Sequence, residues 1–486
     1  MRFPFGGFIC FWLLTGAVQA APFKPASLFD PSALSQHTLP NGVRGVVRVS
    51  PGSGLICAQV WVRSGSRHEG QARNGASRML AEAGLLASKN YPRRADAAGN
   101  TSGGVRDALE SLGGEVKVFT ARDSTFFSAT LPSRFLPQTL RALSDAVLRP
   151  ALDETTVGDA RDEVTSDQRR RSGDALEALQ DIAFRVAFDK HPYRNPASGT
   201  PQTLDSLGSA NLRTFHQQRF VGPNISVVVT GDAPAATAHG LFAQFFAGAP
   251  AAGPEGAPIA PETQALQYKS VSRRFPTINK IVTLAFRAPG IAAPDDVLAT
   301  DMLLAHWKEG SGAKLRGVLL GPDNDDDVKN EGAPALGFDV DFLTQRDPGL
   351  LTISLVVSPR QGGASQAVGL VLDEIEKVRQ VGLSPDDLAR ARAALHRQYM
   401  VQSDTLSGQA SALGFYEMIG DYRFATGYLD RVDKVTSDDV KRMARKYLSR
   451  TGYVQVVAEP VNLPQEGPGG TGSANTLTAE LHISGR

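Results

Sequence analysis

Ile56-Cys57-Ala58-Gln59-Val60-Trp61-Val62-Arg63 and Lys280-Ile281-Val282-Thr283-Leu284-Ala285-Phe286-Arg287 are the two stretches that decide the fold. Both are rich in β-branched and aromatic residues and free of Gly and Pro, which is strand chemistry. The same order of elements follows each of them. Asn211 to Phe220 reads as a short helix entering the strand Ile225-Ser226-Val227-Val228-Val229-Thr230, and Asp438 to Leu448 reads as a helix entering Tyr453-Val454-Gln455-Val456-Val457-Ala458. The two closing units lie about 230 residues apart, and long helical segments near 154–188 and 385–420 precede them. Self-similarity at that spacing marks an internal duplication. Openings rich in strands with long helices later predict an α+β chain of two homologous α/β-sandwich domains. Each would be an antiparallel-rich sheet with helices on one face.

The remaining sequence supplies the boundaries. Residues 246–270 begin in an Ala/Pro/Gly run and read as a linker, which leaves an N-terminal domain over 21–245 and a C-terminal one over 271–460. Residues 461–486 read as a flexible tail. Within residues 1–20, Arg2 precedes an apolar core from Phe8 to Leu14, and Val18 and Ala20 mark a cleavage site: a signal peptide. A short N-terminal membrane anchor is the other reading of that run, which falls short of the ~20 residues a span needs. Export to a bacterial periplasm is the expectation, with no stable membrane insertion after cleavage. Of 486 residues, 51 are Lys or Arg and 50 Asp or Glu, a formal net charge of +1 that removes the whole-chain case for nucleic acid. Two cysteines, one of them Cys10 in the leader, exclude a disulfide scaffold and a four-thiolate zinc module.

Generic catalytic motifs are missing. No two of the eight histidines (His37, His68, His191, His216, His239, His306, His396, His482) fall within one helical turn, so no local His-His metal pair exists. There is no Gly-x-Ser-x-Gly elbow. Gly310-Ser311-Gly312-Ala313-Lys314 lacks Walker A spacing, and Asp323-Asn324-Asp325-Asp326-Asp327 lacks the Gly and Glu of an EF-hand loop.

A set of weaker segments, taken in order, is more specific. Thr38-Leu39-Pro40-Asn41-Gly42-Val43 looks like the opening strand of a known family, and Val60 to Glu69 resembles the strand that leads into that family's active-site helix. Asn74-Gly75-Ala76-Ser77-Arg78-Met79-Leu80-Ala81-Glu82-Ala83 follows, then Gly113-Gly114-Glu115 to Phe127, His191-Pro192-Tyr193, Ser198-Gly199-Thr200 and Val229-Thr230-Gly231-Asp232. Over about residues 37–460 this order resembles the pitrilysin/insulinase-type metallopeptidases, which include mitochondrial processing peptidase. The resemblance implies half of a clamshell peptidase. In that family a His-x-x-Glu-His helix binds zinc through its two histidines and activates water through its Glu, and a downstream Glu completes the ligands. Aligned on Asn74-Gly75, this chain has Arg78 and Glu82 at the histidine positions, Ala81 at the catalytic Glu and Asp167 at the last ligand.

Two of those residues cannot perform that chemistry, and Glu82 and Asp167, although carboxylates can bind zinc, make a poor zinc site beside a cation. Arg78 is a permanent cation without a lone pair, and Ala81 cannot accept a proton. Arg78 and Glu82, four apart, share a helix face and should pair with each other. The resemblance therefore implies no catalysis by this chain alone, no cofactor in it, and zinc in a partner subunit. It implies a heterodimer with an active zinc peptidase homologue that encloses unfolded peptides. Val116-Lys117-Val118-Phe119-Thr120 would be the edge strand that receives an extended peptide. Two alternatives stay open: an atypical active metalloendopeptidase using Glu82, Asp167 and His68, and a structural core-type scaffold protein.

Overall fold

The computed structural model describes residues 30–95, 101–253, 259–262, 265–309, 313–321, 333–357 and 363–461. The expected signal segment 1–20, residues 310–312, the acidic run 323–327 and residues 462–486 lie outside the described residues. Thirteen strands occur among them: β1 Leu34–Thr38, β2 Arg44–Val49, β3 Leu55–Val62, β4 Arg93–Ala95, β5 Thr101–Gly103, β6 Glu115–Thr120, β7 Thr125–Pro132, β8 Ile225–Gly231, β9 Lys269–Phe275, β10 Ile281–Arg287, β11 Ala335–Phe342, β12 Leu350–Val357 and β13 Tyr453–Pro460. β4 and β5 form a small ribbon; the rest build two sheets.

The first sheet runs β1-β2-β8-β3-β7-β6 and the second β11-β12-β10-β13-β9. In each, one pair alone is parallel: β2 with β8, and β13 with β9. Reading the second sheet in reverse superimposes the two orders, with β9, β13, β10, β12 and β11 matching β2, β8, β3, β7 and β6. The strands that opened the sequence reading, β3 and β10, are the central members of their sheets. The α+β fold of two homologous sandwiches is thus present, with antiparallel-rich sheets.

Each half packs its own helices on one sheet face. Ile56, Ala58, Val60 and Val62 of β3 enter a core with Met79, Leu80, Leu140, Leu143, Phe215 and Phe242. Val282, Leu284 and Phe286 of β10 do the same with Met302, Leu303, Trp307, Val371 and Met443. The other face of each sheet is covered by a helix from the opposite half. Leu179, Ala183 and Phe184 of the helix Ala175–Ala187 lie on Ile281, Ala285, Val454 and Val456. Ala410, Leu413 and Met418 of the helix Leu406–Ile419 lie on Val46, Cys57, Trp61 and Val228. Burial on both faces explains the near-continuous apolar runs of these central strands.

Three local expectations change. Thr38 to Val43 is not the opening strand: only Thr38 belongs to β1, and the rest is a hairpin loop closed by the Leu39 amide donating to the Val43 carbonyl at 2.8 Å. Asn41-Gly42 is its cause, since Gly42 takes φ +88°. The long helix near 154–188 is two helices, Glu154–Gly173 and Ala175–Ala187. Between them the Asp174 carboxylate accepts the Leu176 and Glu177 amides at 2.9 and 3.1 Å and starts the second. The segment near 385–420 divides likewise into Pro385–Gln402 and Leu406–Ile419. No helix among the described residues is long and apolar enough to cross a membrane.

Candidate functional site

The helix Ala76–Leu86 begins at Gly75, whose φ of +98° a side chain would strain. A Cβ there would also stand 2.7 Å from Leu204 Cδ2 and 3.1 Å from Gly199 Cα. The Asn74-Gly75 and Ser198-Gly199-Thr200 segments are therefore one close packing contact. Gly75 offers no capping side chain, and the buried Glu69 carboxylate does that work from the preceding loop. It accepts the Gly75 amide at 2.6 Å, the Ser77 amide at 2.8 Å and Asn74 Nδ2 at 3.1 Å. Burial raises the Glu69 carboxyl above its ordinary range, opposed by those bonds. Asn74 Nδ2 also donates to the Pro196 carbonyl at 2.8 Å. No residue in the sequence pattern marks Glu69 as the cap.

On this helix Arg78 and Glu82 face the helix Glu154–Gly173 and the strand β6. Arg78 Nη2 lies 2.8 Å from Glu82 Oε1 and 3.8 Å from Asp167 Oδ2, and Arg78 Nη1 donates to the Val118 carbonyl at 3.2 Å. Arg106 Nη2 donates to the other Glu82 oxygen at 3.0 Å, and Arg170 pairs with Asp167. Glu82 is 3% exposed, Arg78 15% and Asp167 19%. Burial pushes the Glu82 carboxyl up; Arg78 and Arg106 pull it down, while Glu163 and Asp167 push it further up. Ala81 is fully buried among the apolar residues of the first core.

The structure thus brings Arg78, Glu82 and Asp167 together, with Ala81 beneath them, and adds Arg106. Arg106 is 24 residues from Glu82 on the short helix Gly104–Glu110, so no local spacing announces it. His68 stands elsewhere. Its Nε2 is 3.3 Å from Arg67 Nη1, and burial plus the guanidiniums of Arg219, Arg67, Arg63 and Arg346 hold its pKa well below the usual imidazole value. The alternative ligand set of Glu82, Asp167 and His68 is accordingly not assembled. Among the described residues no three His, Cys, Asp or Glu side chains converge on a metal position. Zinc does not fit the donors at the helix: one of four positions is a cation, one is a methyl group, and both carboxylates are engaged by guanidiniums.

Val116, Lys117, Val118, Phe119 and Thr120 form most of β6, the outer strand of the first sheet, paired with β7 alone. A second polar cluster, separate from this site, joins the halves. Asp347 Oδ2 receives Arg67 Nη2 at 2.7 Å and contacts His191 Nε2 at 2.9 Å. Tyr193 donates its hydroxyl to Asp123 at 2.8 Å, and the Arg346 amide donates to Asp123 at 3.0 Å. His191-Pro192-Tyr193 is therefore a strut between the two halves.

Comparison with known proteins gives a consistent result. Residues 53–200 match the family model described as insulinase (peptidase family M16), and residues 206–395 match that described as the peptidase M16 inactive domain. A protein named an uncharacterized zinc protease of Mycobacterium tuberculosis is 25% identical over 89% of this chain and 94% of its own length. The mitochondrial-processing peptidase subunit beta of Saccharomyces cerevisiae is 20% identical over 83% of this chain and 86% of its own. A solved structure of a protease from Helicobacter pylori shares the fold with a TM-score of 0.78 at 19% identity, covering 88% of this chain and 99% of that one.

Proposed function

The chain belongs to the insulinase (M16) peptidase family, and from that premise we propose that it is a non-catalytic subunit that pairs with an active zinc-bearing homologue to enclose and bind unfolded peptides for proteolysis. The observation that carries this is the ion network at the helix Ala76–Leu86. Where the family binds zinc, Arg78 is neutralised by Glu82 and Asp167, and where it activates water there is the Ala81 methyl. A guanidinium cannot ligate a metal, and a methyl cannot move a proton.

The scaffold around that site is well formed, which favours a binding role. Glu69 caps the helix, Gly75 packs on Gly199, and β6 ends the sheet beside Arg78. The zinc and the general base belong to the partner, and this chain contributes enclosure and peptide-binding surface. Signal-peptide export to the periplasm completes the proposal. An atypical active metallopeptidase and a purely structural scaffold protein are the competing outcomes. Co-expression with an active homologue separates them: a stable complex with a raised hydrolysis rate supports the subunit role. Zinc-dependent turnover by the chain alone supports the first competitor, and a complex with an unchanged rate supports the second.

A further inference from the structure

β6 has a neighbour on one side only, and the hairpin register decides which of its backbone groups face the open side. The Ala121 amide donates to the Ser124 carbonyl at 2.8 Å, next to the Thr120–Thr125 pair. Hydrogen-bonded and non-hydrogen-bonded pairs alternate along an antiparallel ladder. Lys117 and Phe119 therefore bond inward to Ser128 and Phe126, whereas Val116, Val118 and Thr120 turn their N–H and C=O groups outward. Val118 is the middle one, and its carbonyl is the acceptor for Arg78 Nη1. Arg78 is held there by Glu82 and Asp167.

We propose that Arg78 caps the strand-addition edge: an extended peptide pairs with Val116, Val118 and Thr120 of β6 and must displace the Arg78 guanidinium from the Val118 carbonyl to do so. This rests on the peptide-binding role proposed above. An added antiparallel strand uses Val118 as both donor and acceptor, and the guanidinium already occupies the acceptor with a charge-assisted bond. The displaced N–H then needs a new partner. In a paired ladder, side chains directly opposite share a face, and Val118 lies on the face of the first core, with Met79 and Ala81 of the Arg78 helix. The peptide residue opposite Val118 therefore points toward Arg78. A Glu or Gln there supplies the missing acceptor; a Lys supplies none and adds a like charge. The favoured occupant is an extended peptide with an acceptor side chain at that position.

The test is fluorescence anisotropy on the full chain. The probe is a fluorescein-labelled peptide of alternating Val and Thr, with one central residue set to Glu, Gln or Lys. Wild type should prefer Glu and Gln over Lys. Arg78→Ala should bind the Lys peptide on the order of tenfold tighter, about the equilibrium factor of one hydrogen bond to a charged group, with a smaller gain for the Glu and Gln peptides, and so should lose the discrimination. Arg78→Met, which keeps the aliphatic stem, serves if the alanine variant does not fold. Val118→Pro removes an outward N–H that β7 does not use and should abolish binding in either background. Unchanged affinity in the Arg78 variants, with binding still abolished by Val118→Pro, overturns the cap and leaves the peptide-binding role standing. Binding insensitive to Val118→Pro places the peptide off β6 and also overturns the cap. No binding by any variant overturns both.

Discussion

Breaking and then removing the Arg78–Glu82 pair is a quantitative probe of the altered site. Arg78→Met leaves Glu82, 3% exposed, with Arg106 at 3.0 Å as its one guanidinium partner, while Glu163 and Asp167 disfavour its charge. Removing one partner of a buried pair costs about 3–5 kcal/mol, and the surviving Arg106 contact reduces this to about 2 kcal/mol. Glu82→Leu strands Arg78 between the Val118 carbonyl and the more distant Asp167, at a similar cost of about 2 kcal/mol. The double variant removes both buried charges, and its residual partners, Arg106 at 34% exposure and Asp167 at 19%, reach water. It should fall within about 1 kcal/mol of wild type. The double-mutant cycle should therefore report a coupling of about 3 kcal/mol. Thermal unfolding of the four proteins at neutral pH, followed by tryptophan fluorescence, measures it. Additive single effects, within about 0.5 kcal/mol, would refute the claim that the two charges share one desolvated site.

Other expectations follow from the same structure. Burial pushes Asp301 up to about 7 against the hydrogen bond from Tyr428 at 2.8 Å. The folded state therefore binds the extra proton between about 4 and about 7, and stability should fall as pH rises through that window. Asp301→Asn should flatten the slope in a pH series of unfolding midpoints. Asp347 behaves oppositely: burial raises it, but His191 and Arg67 outweigh burial and hold it at about 2. The stability it contributes is present above about 4 and lost as pH falls toward about 2, and Arg67→Ala should weaken that acid dependence. A methyl on Gly414 would stand 2.0 Å from Trp61 Nε1, so Gly414→Ala should lift the helix Leu406–Ile419 from the first sheet. It should cost about 1–3 kcal/mol by overpacking and admit protease between the halves in a limited-digestion assay.

Strand cores and the duplication could be read from the chain because periodicity and composition report burial directly: β3 and β10 are apolar on successive residues and prove buried on both faces. The Arg78–Glu82 pair could be read because four residues on a helix is a fixed distance. What covers the second face of each sheet could not. The amphipathic pattern of Ala175–Ala187 and the apolar character of Leu406–Ile419 mark surface for burial without naming the sheet it meets, and both helices cross to the opposite half. Arg106 and Glu69 escaped for a related reason. Their partners lie on other elements, and nothing local distinguishes a carboxylate that caps a helix from one in water. The Asn41-Gly42 turn signal is present in the sequence, and it is the family resemblance, taken over the whole of Thr38 to Val43, that lays a strand across it.

We propose a chain with the peptidase scaffold and without its metal chemistry. Metal content by mass spectrometry and peptide hydrolysis with and without chelator test it together, on the isolated chain and after co-expression with an active homologue. The chain alone should hold no stoichiometric zinc and show no turnover, and with the homologue it should form a stable complex that hydrolyses peptide faster than the homologue by itself. Chelator-sensitive hydrolysis by the isolated chain, with zinc bound one to one, would contradict it.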